Sequence, residues 1–140
     1  MNGDNPQEAQ AEVVSLKQRG FQEGAQEHLS TSQDEALSDA LVFSSAQGAK
    51  QEFSANLSED MTSHHAGLKR FTVAAIPRAV GFGQQQAHAQ GATADVLFTT
   101  GRCFLLIGDA LNGRTARKQA NSAAIAGATA LYRRLRHSCA

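Results

Sequence analysis

Hydrophobic residues along the chain follow two rhythms, one at spacings of three and four, the other at every second position. The first rhythm marks three segments. Ala9, Val13 and Leu16 predict a helix over Ala9–Arg19, with Gly20 as its natural stop. Ala46, Ala49, Phe53, Leu57 and Met61 form the stripe of a second, half-buried helix. Ser44 and Gln47 stand three residues apart at its start, the spacing at which each side chain satisfies the other's free backbone N–H. A third helix, from about Arg114 to Arg136, carries Ala116, Ala120, Ala124, Gly127, Leu131 and Leu135 on one stripe. The first four of these are small, so the helix can lie very close to whatever it covers.

The second rhythm marks strands. Phe21–Ser30 is weakly patterned, whereas Leu37, Leu41 and Phe43 lie on one side of a run ending in Leu41-Val42-Phe43. Arg70–Ile76 is β-like up to Pro77, which has no N–H to give to a sheet. Val80–Phe82 resumes as a short strand, and Gln84–Gly91 is polar and without periodicity, as in a loop. Thr93–Thr99 and Arg102–Gly108 are apolar runs on either side of Thr100-Gly101, where glycine supplies the positive φ of a tight reversal. They predict the central hairpin of a sheet. The order α-β-β-α-β-β-β-β-α predicts an α+β fold: an antiparallel β-sheet packed on one face by helices, including the long C-terminal one.

A chain of 140 residues fits one domain, here 9–140, behind a disordered tail of 1–8 that Pro6 closes. With 41% hydrophobic and 19% charged residues, the composition is that of a globular chain. Seven Phe, one Tyr and no Trp leave much of the core to Ala, Leu, Val and Ile. No run reaches the ~18 to 20 apolar residues that cross a bilayer. The polar, acidic start MNGDNPQEAQAE is not a signal peptide. Either the protein is cytoplasmic, or a leader is absent from this sequence and Met1 stands in its place.

The net charge of zero hides a split. Residues 1–66 hold eleven acidic and three basic side chains, and residues 67–140 hold two acidic and ten basic, so the halves carry −8 and +8. Such a split marks an anion-binding face, or acidic and basic elements that pack side by side and screen one another.

Cys103 opens the second hairpin strand and Cys139 follows the last helix. A helix running back antiparallel over that strand returns Cys139 towards Cys103. The fit is imperfect, because about 22 helical residues cover roughly 33 Å and seven strand residues roughly 23 Å. Three readings stay open: a disulfide between them, an inert pair of thiols, or a reactive thiol. No C-x-x-C motif favours the last. A disulfide places the protein outside the cytoplasm.

The succession FTVAAIPRAVGF, then ADVLFTTGRCFLLIGDAL, then an Ala-rich helix ending in a cysteine, resembles small secreted proteins and lipoprotein domains of actinobacteria. It is also similar, more distantly, to the extracellular sensor domains of actinobacterial receptor kinases. The resemblance spans about residues 20–139 and rests on a rhythm of apolar residues and turns, with no catalytic signature. Arg78 departs from it, standing where a glycine is usual, and a lipobox cysteine is missing. The resemblance implies an extracytoplasmic binding or accessory role.

Candidate chemistry is sparse. His64-His65 ends the second helix without a carboxylate or thiolate at ligand spacing, so nothing designates a metal or any other cofactor. His88 lies in the glutamine loop, and His137 stands two residues before Cys139, a pair with little to orient it. No phosphate loop, G-x-S-x-G elbow, H-E-x-x-H or paired-acid motif occurs. Asp95 and Asp109 are the acids of the second half, and Asp109 reads as capping the turn at Asn112. Arg114, Arg117 and Lys118 crowd the first turn of the last helix, where the helix dipole disfavours cations, and form a candidate anion-binding cluster. No aromatic residues interleave with them for base stacking, which argues against nucleic acid. The leading expectation is a non-enzymatic extracytoplasmic binding or sensing module for a small-molecule, lipid or protein ligand. Its rivals are a cytoplasmic polyanion-binding module that uses the basic half, and an enzyme whose site is scattered along the chain.

Overall fold

The computed structural model describes residues 5–62, 67–85, 91–112 and 117–140, with the side chains of 60–62 excepted. The elements follow the order the sequence predicts: α1 (Pro6–Gln18), β1 (Phe21–Ser30), β2 (Asp34–Phe43), α2 (Ala46–Thr62), β3 (Lys69–Thr72), β4 (Val80–Gln85), β5 (Gly91–Thr100), β6 (Cys103–Asn112) and α3 (Arg117–Leu135). The strands pair antiparallel throughout, in the spatial order β1-β2-β6-β5-β4-β3. The fold is α+β.

Several boundaries move for local reasons. Helix α1 begins at Pro6, inside the stretch expected to be a disordered tail. Asn5 caps it by accepting the Gln7 N–H at 3.1 Å, and proline suits the first helical position because no partner is needed for its missing N–H. At α2 the capping side chain is Ser45, whose Oγ accepts the Gly48 N–H at 3.2 Å. The expected Ser44–Gln47 box does not form, because Ser44 gives its N–H to the Gly20 carbonyl at 2.8 Å. Strand β3 stops at Thr72, since Ile76 and Ala79 turn back to bond the carbonyls of Val73 and Ile76 at 3.2 and 3.3 Å. Arg78, in this turn, adopts the left-handed conformation with φ 61°, which explains why glycine is the easier residue there. Strand β4 takes in Gln84 and Gln85 and β5 starts at Gly91, so both ends of the expected loop are strand, and its residues 86–90 lie outside the described residues.

The helices do not share one face of the sheet, as the sequence reading expected; they divide between two. On the first face, Ala92, Ala94, Val96 and Phe98 of β5 join Cys103, Leu105 and Ile107 of β6 beneath Ala120, Ala124 and Ala128 of α3. Tyr132 closes this layer edge-on to Phe98, with ring centroids 6.1 Å apart. On the second face, Val80, Phe82, Leu97 and Phe104 meet Phe43, Ala49 and Phe53, with Leu16 of α1 at the margin. Each large apolar side chain fully buried this way contributes about 1.5–3 kcal/mol. Gly127, expected on the buried stripe, is exposed, and Ala128 takes its place.

Strand β6 runs to Asn112, not Gly108, and α3 ends at Leu135. Nineteen helical residues cover about 29 Å and ten strand residues about 34 Å, so the length mismatch feared from the sequence disappears. The chain therefore brings Cys139 back to Cys103, and the two form a disulfide with Cα atoms 5.6 Å apart. The sheet ends differ in charge. β1 and β2 carry Glu23, Glu27, Asp34, Glu35 and Asp39, whereas the opposite edge strand β3 carries Lys69 and Arg70.

Candidate functional site

Helix α3 packs on β4, β5 and β6, while β1 and β2 extend past it. The overhang and the helix enclose a groove of about 270 Å³. Ala36 and Ser38 of β2 and Ile107 and Asp109 of β6 form its floor, as the antiparallel register sets them side by side: Ala36 opposite Asp109, Ser38 opposite Ile107. Glu27 and Leu29 of β1 stand on the outer side. Ala123, Gly127, Leu131 and Arg134 of α3 form the other wall. Gly127 has a structural part here, because a Cβ at that position would sit 3.4 Å from the Ile107 side chain and narrow the space between helix and sheet.

Two features separate this groove from ordinary surface relief. Leu29 is 60% exposed, among the most exposed large apolar residues of the described chain, and it faces the groove. Asp109 is part-buried, and desolvation pushes its carboxyl above the ordinary aspartate range. Among the described residues no hydrogen bond or ion pair reaches that carboxylate, and Arg134, which lines the same groove, does not pair with it. A larger, open depression of about 540 Å³ lies between α1 and α2, lined by Ser15, Gln18, Arg19, Gln47, Lys50 and Ser54. It has no apolar floor, so it offers a ligand little reason to leave water.

The residues singled out from the sequence fare unevenly. Cys103 and Cys139 are joined, which removes the thiol and with it the Cys139–His137 couple; His137 is exposed. His64, His65, His88, Arg114 and Ala116 lie outside the described residues. Lys118 is exposed, and Arg117 opens α3 with its backbone N–H given to the Gln85 side chain at 3.0 Å. Gln85 also donates to the Gly91 carbonyl at 2.7 Å, so it ties the start of α3 to the start of β5. The N–H that an anion would seek at Arg117 is thus already bonded. Among the described residues, no three His, Cys, Asp or Glu side chains converge as metal ligands. No helix among them is long and apolar enough to cross a membrane.

Asp109 was expected to cap a turn, but it lies within β6. The missed signal is its place in the period-2 series Cys103, Leu105, Ile107, Asp109, where an acid continues a buried apolar face. Glu27, Leu29 and Arg134 carried no comparable signal, since only the strand order β1-β2-β6 brings them to Asp109.

No protein-family model matches the chain, and no curated protein matches it. Among solved structures, it is similar to the extracellular domain of PknH from Mycobacterium tuberculosis, with a TM-score of 0.55 and 10% sequence identity over 84% of this chain and 69% of that one. At this identity the likeness is one of fold: the chain shares its architecture with the extracellular domain of a mycobacterial receptor kinase.

Proposed function

We propose that the protein is a non-enzymatic extracytoplasmic binding or sensing module whose ligand occupies the groove between α3 and the β1–β2 overhang. The observation that carries this reading is Asp109, an acid held partly out of water at the floor of a recess of mixed apolar and polar lining, with no partner among the described residues. Folding gains nothing from such a group, so its placement is best explained by something that binds to it. The Cys103–Cys139 disulfide supports a location outside the cytoplasm, because such bonds persist in oxidising compartments. The fold shared with an extracellular domain points the same way.

The test is an NMR screen of a small-molecule library on isotope-labelled protein. Saturable shifts confined to Leu29, Ala36, Ile107 and Leu131 support the groove. Shifts that map only to Arg117, Lys118 and the adjoining basic residues, with salt-sensitive retention on heparin, support the polyanion-binding reading in its place.

A further inference from the structure

The groove also limits the chemistry of what it can hold, and this inference rests on the reading just given. We propose that the ligand is an amphipathic cation: a primary ammonium group seated on Asp109, with an apolar body lying along Leu29, Ala36, Ile107 and Leu131.

The charges within the groove carry the argument. Its lining holds two carboxylates, Glu27 and Asp109, and one guanidinium, Arg134, and none of the three is paired among the described residues. Asp109 occupies the floor, where water is partly excluded, whereas Arg134 lies on the last turn of α3 and its side chain is exposed. A cation near the C-terminal end of a helix is already favoured by the helix dipole, so Arg134 needs no ligand to account for it. Asp109 has no such compensation. A half-desolvated carboxylate without a donor gains most from an N–H-bearing cation, since charge-assisted hydrogen bonds are about twice as strong as neutral ones. An ammonium suits the place better than a metal ion, because Asp109 and Glu27 lie on different strands and, among the described residues, no third ligand joins them to complete a coordination shell.

The rest of the lining sets the body of the ligand. Leu29, Ala36, Ile107 and Leu131 present apolar surface, and Ala123 and Gly127 leave the helix wall shallow. At about 30 Å³ per water, 270 Å³ holds roughly nine waters, or a short unbranched chain in their place. A carboxylate-headed molecule of the same length meets Glu27 and Asp109 with like charge and is disfavoured.

The test compares hexan-1-amine, hexan-1-ol and hexanoate, titrated by NMR at neutral pH into wild type, Asp109→Asn and Glu27→Gln. Asparagine matches aspartate in shape, and Glu27 is exposed, so Glu27→Gln provides a second folded variant if the first is perturbed. The expected result is that the amine shifts Leu29, Ala36 and Ile107 with at least tenfold higher affinity than the alcohol, and hexanoate is weakest. Asp109→Asn should abolish that tenfold advantage while leaving the alcohol unchanged, and Glu27→Gln should reduce it by a smaller factor. Equal binding of amine and alcohol overturns the cation proposal but leaves the groove as a binding site. Tighter binding of hexanoate overturns it in favour of Arg134 as the anchor. Absence of groove shifts with every probe overturns both.

Discussion

The carbonyl of Cys139 accepts a 2.7 Å hydrogen bond from the backbone N–H of Arg102, one residue before the cysteine to which Cys139 is bonded. The end of the chain is therefore held twice at the β5–β6 turn, once covalently and once through its backbone. Helix α3 gains from this anchor, because the residues it buries fully are alanines, each contributing little apolar area, while Ile125, Leu131, Tyr132 and Leu135 pack on the sheet only half-buried. Replacing both cysteines by serine should lower stability by about 3–4 kcal/mol, the chain-entropy value for a loop of this size. Urea unfolding of the oxidised wild type and the double variant measures the difference. Hydrogen exchange should show the extra opening concentrated in the last turns of α3.

Gly101 sits at the same junction with φ 51°, and a Cβ there would overlap the Cys139 carbonyl. Gly101→Ala should cost about 1–2 kcal/mol from the left-handed backbone alone, and more from the displaced carbonyl. The Tm should fall in the oxidised protein and fall less in the Cys→Ser background, where the carbonyl is freer to move.

Arg78 presents the opposite case. It holds φ 61° with a Cβ that the left-handed region disfavours. Arg78→Gly should raise stability by about 0.5–1 kcal/mol, the backbone relief less the greater entropy glycine gives the unfolded chain. Thermal unfolding checks the sign.

These two turns show how unevenly the sequence discloses the fold. The β5–β6 hairpin was legible because alternating apolar runs meet at a glycine, and the nine elements follow the predicted order. The division of helices between two faces was legible in principle but missed. Cys103-Phe104-Leu105-Leu106-Ile107 is apolar without a break, the mark of a strand covered on both sides. Gly127 was placed on the buried stripe in error for Ala128, because in a helix rich in small residues neighbouring stripes look alike. Half of the groove depends on β2 pairing with β6, a contact between distant segments that no local pattern encodes.

Asp109 yields a prediction of opposite sign from that of most native carboxylates. Burial raises its pKa in the folded state, so over the interval above the usual ~3.9 the folded chain holds more proton than the unfolded one. Its contribution to stability is then lost as pH rises from about 3.9 through the raised folded value. Glu27 and Arg134 are the charged groups that share the groove with it. Asp109→Asn should remove this loss. The Tm difference between variant and wild type should grow in the variant's favour from pH 3 to neutrality and then level off.

Arg19, at the end of α1, pairs with Glu52 of α2, whose side chain is 9% exposed and also accepts the Asn56 amide at 2.7 Å. No residue of α1 is fully buried, so this ion pair adds to the half-buried contact of Leu16 in holding the helix. Arg19→Ala strands a nearly buried carboxylate and should cost about 2 kcal/mol. Chemical denaturation reads the loss, and proteolysis should cut α1 sooner than in wild type. Glu52→Gln, which keeps the shape and the Asn56 contact, should cost less.

The charges at the two ends of the sheet have a consequence at a larger scale. With Glu23 and Glu27 along one edge strand and Lys69 and Arg70 along the other, the sheet carries a charge separation, a dipole, from edge to edge. Like edges of two copies repel, which guards each exposed strand against pairing with its own kind. Near a charged surface the same dipole turns the molecule before contact. An anionic surface draws the β3 edge inward and leaves the β1–β2 overhang, with the mouth of its groove, facing the solvent.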